Sequence, residues 1–224
     1  MGADVIPVSR HIDKVKETAA ELARHGSRTL EIAADVTKLE ELDSLVSAVL
    51  EKFGRIDILI NSAGGHLKKP SFEVEEHEWD RILDLNLKAT FFACQRVGRV
   101  MRGQGGGSIV NLGSVASSLE FSETCAYSSS KAAVAKLTGS LAREWAPLGI
   151  RVNAILPGVF VTPMNEKLVV NSERGKKILQ QTPMGRFGNL DEIQGAAVFL
   201  VSDAARFVTG AVLPVDGGIL VSGI

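Results

Sequence analysis

Short apolar runs alternate with longer amphipathic stretches from one end of this chain to the other, and that rhythm limits the folds open to it. Residues 5–8 read as strand, 12–25 have helical spacing and stop at Gly26, and 29–33 are strand-like again. A helix over 39–53 ends at Gly54, and the uninterrupted apolar run at 56–60 predicts a strand buried on both faces of a parallel sheet. A long helix over 76–102, a strand at 108–112, a helix over 127–146 and a strand at 150–155 follow. Pro157 and Gly158 open an irregular stretch, after which a helix at 191–201 and a strand at 211–215 complete the pattern. Strand, helix, strand, repeated with no break in composition, predicts one α/β domain with a doubly wound parallel sheet over residues 1–224.

Charge and cysteine content narrow the function. A net charge of −1 over 224 residues offers nothing to nucleic acid, and no apolar run approaches the ~18 residues that span a bilayer. The first residues, MGADVIPVSR, resemble neither a secretory signal nor an Arg-rich transit peptide. Cys94 and Cys125 suit reduced thiols better than a disulfide or a metal site, Cys94 as core and Cys125 as a pocket wall. The expectation is a cytoplasmic protein with no metal.

In open α/β sheets ligands bind beyond the carboxyl ends of the strands. Those ends carry Ser9 and Arg10, Asp35 and Val36, Asn61 to Gly65, Gly113 and Ser114, then Pro157 and Gly158. One stretch among them, LGSVASSLEFSETCAYSSSK, has chemical spacing. Tyr127 and Lys131 are four apart, so a helix beginning near Tyr127 puts both on one face. A free phenol has a pKa of about 10, and a nearby ammonium favours its ionised form, which suits acid/base work on a hydroxyl or carbonyl. Chance occurrence of YxxxK in a helix is the structural alternative.

Further motifs resolve that choice. Asn61-Ser62-Ala63-Gly64, Asn86 within LDLNLKATFF, VNLGS ending in Ser114, Tyr127-Ser-Ser-Ser-Lys131, RVNAILPG, Thr162 and TGAVLPVDGG stand in order along the whole chain. Together they resemble the short-chain dehydrogenase/reductase family, with serine in the second place of the family's NNAG stretch. The resemblance implies a Rossmann-like fold and reversible hydride transfer between a nicotinamide cofactor and a carbonyl or secondary alcohol. Tyr127 would be the acid/base and Lys131 would lower its pKa and bind the nicotinamide ribose. Ser114 would donate a hydrogen bond to the substrate oxygen, and Asn86 would hold a water of a proton relay.

For the cofactor, the resemblance implies that Ser9 and Arg10 read the adenosine ribose, where Ser plus Arg suits the 2′-phosphate of NADP and an acid would suit NAD. NADP is therefore favoured and NAD possible; a solvated Arg10 is the alternative. Asp35 and Val36 would contact adenine, and Asn61, Ala63 and Gly64 would floor the ribose. Pro157, Gly158, Val159 and Thr162 would meet the carboxamide. HLKKPSFEVEEHEWDRILDLNLKATFFACQ resembles dehydrogenases of sugar acids and polyols of gluconate 5-dehydrogenase type, whereas TPMGRFGNLDEI is equally at home in 3-oxoacyl carrier-protein reductases. His66, Lys68 and Lys69 could meet an anionic substrate or form a solvated basic loop. The helices over 76–102 and 127–146 and the tail GGILVSGI resemble subunit contacts and imply a homodimer or homotetramer.

Relative to the family, the first strand, Gly-rich turn and first helix are missing. Gly103 to Gly107 precede a strand, so they suit a helix stop and turn instead of a phosphate cradle. Three explanations fit: a start codon placed too late, a truncation that leaves an inactive binding or scaffold protein, and a sheet whose strands at 5–8 and 56–60 close ranks. The first leads, because every downstream catalytic position is intact.

Overall fold

The computed structural model describes residues 2–162 and 166–222. Its centre is a four-stranded parallel sheet: β1 (Ile58–Asn61), β2 (Gly107–Leu112), β3 (Ile150–Pro157) and β4 (Val212–Val215), in that spatial order. The register pairs Ile58 with Ser108, Ile109 with Val152, and Ala154 with Val212. Alternation along β2 divides the core between the two faces. Ile109 packs with Cys94, Val97 and Met101 on one face, while Val110 packs with Leu200 and Ile193 on the other.

Eight helices stand among the described residues, most of them where the spacing places them. These are α1 (Ile12–Arg24), α2 (Leu39–Phe53), α3 (Glu76–Leu83), α4 (Ala89–Gly103), α5 (Cys125–Trp145), α6 (Glu166–Val169), α7 (Glu173–Gln180) and α8 (Leu190–Val201). In α2, Leu42, Leu45 and Val49 form the buried stripe, and Gly54 closes the helix at φ 75°, its N–H donating to the Leu50 carbonyl. Between α3 and α4 runs a single π turn, Asp84–Lys88, so the long helix expected there is continuous but locally widened at Asn86. Gly103 to Gly107 are indeed a helix stop and turn: α4 ends at Gly103, and the Gly106 N–H donates to the Met101 carbonyl before β2 begins. The stretch expected to be irregular contains α6 and α7. The second of these is seeded by Ser172, whose Oγ accepts from the Gly175 N–H at 2.9 Å.

Two expectations fail at the amino-terminal side. Residues 5–8 and 29–33 belong to no ladder. They touch through Val5 N–H to Arg28 carbonyl (3.1 Å) and Ala34 N–H to Ser9 carbonyl (3.0 Å), and the Asp4–Arg28 ion pair clamps their start. Their apolar residues Ile6, Leu30 and Ile32 pack instead on Leu45 and Val49 of α2. Neither segment pairs with β1, so among the described residues the sheet does not close ranks. As an edge strand β1 is not buried on both faces: Ile58 is 38% and Ile60 45% exposed. Val5 and Val8 are exposed as well. An apolar run is cheaply buried only where strands flank it on both sides, and β1 has a partner on one side alone.

Candidate active site

The carboxyl ends of β1, β2 and β3 and the first turns of α5 converge on one place. Ser114 stands one residue beyond β2, after Gly113, and opens a short 3₁₀ turn, its Oγ accepting from the Ala116 N–H at 3.1 Å. Tyr127 stands on the first turn of α5, with the Ser114 hydroxyl close enough to favour its ionised form. Four residues on, the Lys131 Nζ lies 6.0 Å from the Tyr127 ring centroid and donates to the Leu112 carbonyl at 2.7 Å. The i, i+4 spacing thus does put both side chains on one face.

Asn86 ties this cluster to the loop after β1. Fully buried in the π turn, its Oδ1 accepts from the Gly65 N–H at 2.7 Å, while Nδ2 donates to the Gly65 carbonyl at 3.0 Å and to Ser130 Oγ at 2.9 Å. Ser130 in turn donates to the Tyr127 carbonyl at 2.7 Å. Every polar atom of the Asn86 amide group is therefore engaged with protein, and its visible work is to clamp backbone. Ser130, unremarked among the three serines of YSSSK, is the link between Asn86 and Tyr127. No sequence signal separates it from its neighbours, because only the fold decides which serine faces the π turn.

Electrostatics departs from the simplest expectation. Burial pushes the Tyr127 phenol up, and only the nearby Ser114 hydroxyl opposes that shift. Lys131, more deeply buried, is itself driven down to about 8 by desolvation. The expected depression of the Tyr127 pKa by Lys131 is thus absent, because both groups lose water and the ammonium lies 6.0 Å from the ring centre.

The remaining expected residues distribute as follows. Asn61 turns its amide into the core, donating to Asn111 Oδ1 at 2.9 Å and to Cys94 Sγ at 3.2 Å, and Asn111 donates to Thr138 Oγ1 at 3.0 Å. Only its backbone faces the strand end. Burial raises the Cys94 thiol to about 12, as befits a core residue. Cys125 walls an open cavity of 630 Å³ with Phe72, Leu119 and Phe121. Ala63 and Gly64 are exposed, and a Cβ at Gly64 would stand 3.3 Å from Asn86 Oδ1 and 3.5 Å from Lys131 Nζ. Gly158 lies so close to the last strand end that a Cβ would meet the Asp216 Cα at 2.6 Å. Pro157 ends β3, the Val159 carbonyl accepts from the Gly188 N–H, and the Thr162 carbonyl accepts from the Glu166 N–H. Ser9 and Arg10 are brought beside Asp35: the Arg10 charge acts on the Asp35 carboxylate, which also accepts from Thr37 Oγ1 at 2.7 Å. Val36 lies half-buried in the turn that follows Asp35.

The loops that follow the strand-like segments and strands therefore carry an arginine beside a carboxylate turn, a small-residue step at Ala63 and Gly64, and a lysine and a phenol. The glycine step, which a Cβ would fill, suits the close approach of a ribose to Lys131. No described segment offers a Gly-rich turn running into a helix to hold a pyrophosphate.

Comparison with known proteins agrees with this arrangement. A family model described as enoyl-(acyl carrier protein) reductase matches residues 1–220. The chain belongs to the short-chain dehydrogenase/reductase family. It is 42% identical over 206 residues to an NAD-dependent glycerol dehydrogenase of Listeria innocua, spanning 92% of this chain and 80% of that protein. A gluconate 5-dehydrogenase of Gluconobacter oxydans is 38% identical over 221 residues, 99% of this chain and 86% of that protein. A solved gluconate 5-dehydrogenase from Burkholderia cenocepacia, in complex with NADP and tartrate, superposes with a TM-score of 0.94 at 34% identity, covering 100% of this chain and 87% of that one. The family read from the motifs is the family found, the Rossmann-like α/β fold with it, and the protein is an NAD(P)-dependent oxidoreductase.

Basic residues near the site also fall into place. Lys68 pairs with Glu123 at 3.1 Å and Lys69 with Glu78 at 2.8 Å, so the basic loop is largely neutralised from within. His66 packs against Tyr127 in a tilted ring contact, with centroids 4.6 Å apart and planes at 50°. None of the described helices is long and apolar enough to cross a membrane.

Proposed function

We propose that this chain interconverts a secondary alcohol and a ketone on a sugar acid or polyol, with NADP preferred over NAD. The observation that carries the proposal is the Ser114–Tyr127–Lys131 cluster on the carboxyl ends of β2 and β3, held from behind by Asn86 and Ser130. Tyr127 gives its phenolic proton to the substrate carbonyl oxygen in reduction and takes the hydroxyl proton in oxidation. Ser114 donates to the same oxygen and stabilises the charge that builds there. Lys131, poised near neutrality by burial, supplies or accepts the next proton and holds the ribose hydroxyls. NADP or NAD, when bound, supplies or accepts the hydride at its nicotinamide. Ser9 and Arg10 grip the adenosine end, Asp35 and Val36 border the base, Asn61, Ala63 and Gly64 form the floor, and Pro157, Gly158, Val159 and Thr162 meet the carboxamide. Residues 1–224 act as one such cofactor-binding domain.

Support for the substrate class comes from the relatives, which are named for glycerol, threitol, galactitol and gluconate. The protein works in the cytoplasm as a homo-oligomer, a dimer or tetramer; its exposed Phe72, Phe207 and Val221 support subunit contacts. Light scattering on the eluted protein tests that assembly, and a monomer mass would refute it. The central test is Tyr127→Phe. The variant should fold normally and lose at least ~10²-fold in turnover of the best sugar acid or polyol in a panel that also contains an acetoacetyl thioester. Near-normal turnover would remove Tyr127 from the chemistry, and reduction of the thioester alone would move the substrate to 3-oxoacyl carriers.

A further inference from the structure

We infer that His66 is a positioning residue of the reaction: its ring braces the catalytic phenol of Tyr127, fixing where the O–H points and closing one face of the ring to water. The inference rests on the acid/base reading of Tyr127 above and adds a residue that acts through that phenol.

The two ring centroids lie 4.6 Å apart with planes at 50°, within the range in which aromatic rings attract one another. A side chain on a helix has few staggered positions to choose from, and a ring against one side removes those that swing towards it. Among the described residues the imidazole makes no hydrogen bond or ion pair, so the Tyr127 ring is the partner that its loop gives it.

That contact is imposed, because the loop carrying His66 is fastened on both sides of it. Before His66, the Gly65 N–H donates to Asn86 Oδ1 at 2.7 Å and the Gly65 carbonyl accepts from Nδ2 at 3.0 Å. After it, the Lys69 N–H donates to the Glu123 carbonyl at 2.8 Å, and the Lys69 ammonium pairs with Glu78 of α3 at 2.8 Å. Lys68 pairs with Glu123 at 3.1 Å; that pair is half-exposed and adds little by itself, but it joins the same two loops. Glu123 stands at φ 65°, a left-handed backbone that a residue with a Cβ keeps only where its surroundings hold it. The loop after β1 is thus buckled onto the loop that leads into α5. The same segment reaches Tyr127 twice, through Asn86 and Ser130 at the backbone carbonyl and through His66 at the ring.

The brace works by shape. Burial favours the neutral imidazole, so what meets the phenol is a flat uncharged surface. Proton transfer needs its donor and acceptor aligned, and a displacement on the order of 1 Å can cost about 10²-fold.

Steady-state turnover of the best substrate from the panel above, with NADP, in His66→Ala, His66→Phe and His66→Gln tests this. His66→Ala should lower kcat by about tenfold or more and leave KM within about twofold, since the loss falls on the transition state. His66→Phe keeps a ring and should hold kcat within about threefold of the parent. His66→Gln keeps a donor and an acceptor without a ring, and should fall with alanine. His66 is exposed, so the thermal midpoint should not move in any of the three. Tyr127 is the only tyrosine in the chain, so an absorbance titration reports its phenol directly. In His66→Ala it should ionise at lower pH than in the parent, as water returns to a phenol that burial had pushed up. Phenylalanine falling with alanine overturns the brace, and if glutamine is then spared the imidazole acts by hydrogen bonding instead. Parental turnover in His66→Ala, or an unchanged titration, overturns it as well. The titration needs neither cofactor nor substrate, so it decides the brace even where normal turnover in Tyr127→Phe removes the acid/base reading.

Discussion

Lys131→Met separates what this lysine does for chemistry from what it costs the fold. The side chain is 6% exposed, and burial lowers its pKa from 10.5 to about 8. Desolvation disfavours the charged form, so between those values the unfolded chain binds more protons than the folded one. The sign follows: the lysine's contribution is most unfavourable below about pH 8 and improves as pH rises towards 10.5. The interval corresponds to ~3 kcal/mol of differential stabilisation. Against that stands the hydrogen bond from Nζ to the Leu112 carbonyl at 2.7 Å, whose loss costs about 1–3 kcal/mol. Methionine keeps an unbranched chain of similar length, so near neutral pH the variant should match the parent or exceed it by up to ~2 kcal/mol. The sharper signal is the pH dependence. From about pH 7 to about pH 9.5 the parent should gain on the order of 2 kcal/mol relative to the variant. Urea unfolding at several pH values, followed by the fluorescence of Trp79 and Trp145, measures this directly. Turnover in the variant should fall by ~10² or more. Parallel stability curves for parent and variant would show that Lys131 does not titrate in this window and would refute the reasoning.

Other expectations are sharper in direction than in size. Asn86→Ala strips three hydrogen bonds from a buried site and leaves the Gly65 N–H and carbonyl and Ser130 Oγ short of partners. It should cost ~2–4 kcal/mol in urea unfolding and lower turnover with it, and a loss below ~1 kcal/mol would show that the clamp is dispensable. Arg10→Ala should reduce the preference for NADP over NAD by about tenfold, read as the ratio of kcat/KM values for the two cofactors. An unchanged ratio would assign the 2′-phosphate to another residue.

Much of this architecture could be read in advance because it depends on local spacing. The period of apolar residues placed α1, α2, α5, α8 and all four sheet strands close to where they stand, since a half-buried helix or a parallel strand needs that pattern whatever its neighbours. The pair Tyr127 and Lys131 was legible for the same reason: four residues on a helix share a face. By contrast, residues 5–8 and 29–33 have strand composition and form no ladder, because strand formation depends on partners elsewhere in the chain. The exposure of Ile58 and Ile60 has the same origin. Short α7 was hidden by its eight-residue length and its scarcity of apolar residues, and emerges from the Ser172 cap.

The sequence by itself determined the family, the alternating α/β order and the shared face of Tyr127 and Lys131, because motif chemistry and helical spacing are local properties. Tertiary structure decided the protonation balance and the wiring. Burial, which no local pattern reports, raises Tyr127 and lowers Lys131 instead of letting the lysine depress the phenol. The contacts of Asn86 with Gly65 and Ser130, and of His66 with Tyr127, join residues far apart in the chain. Such contacts arise only when the sheet brings the carboxyl ends of its strands together.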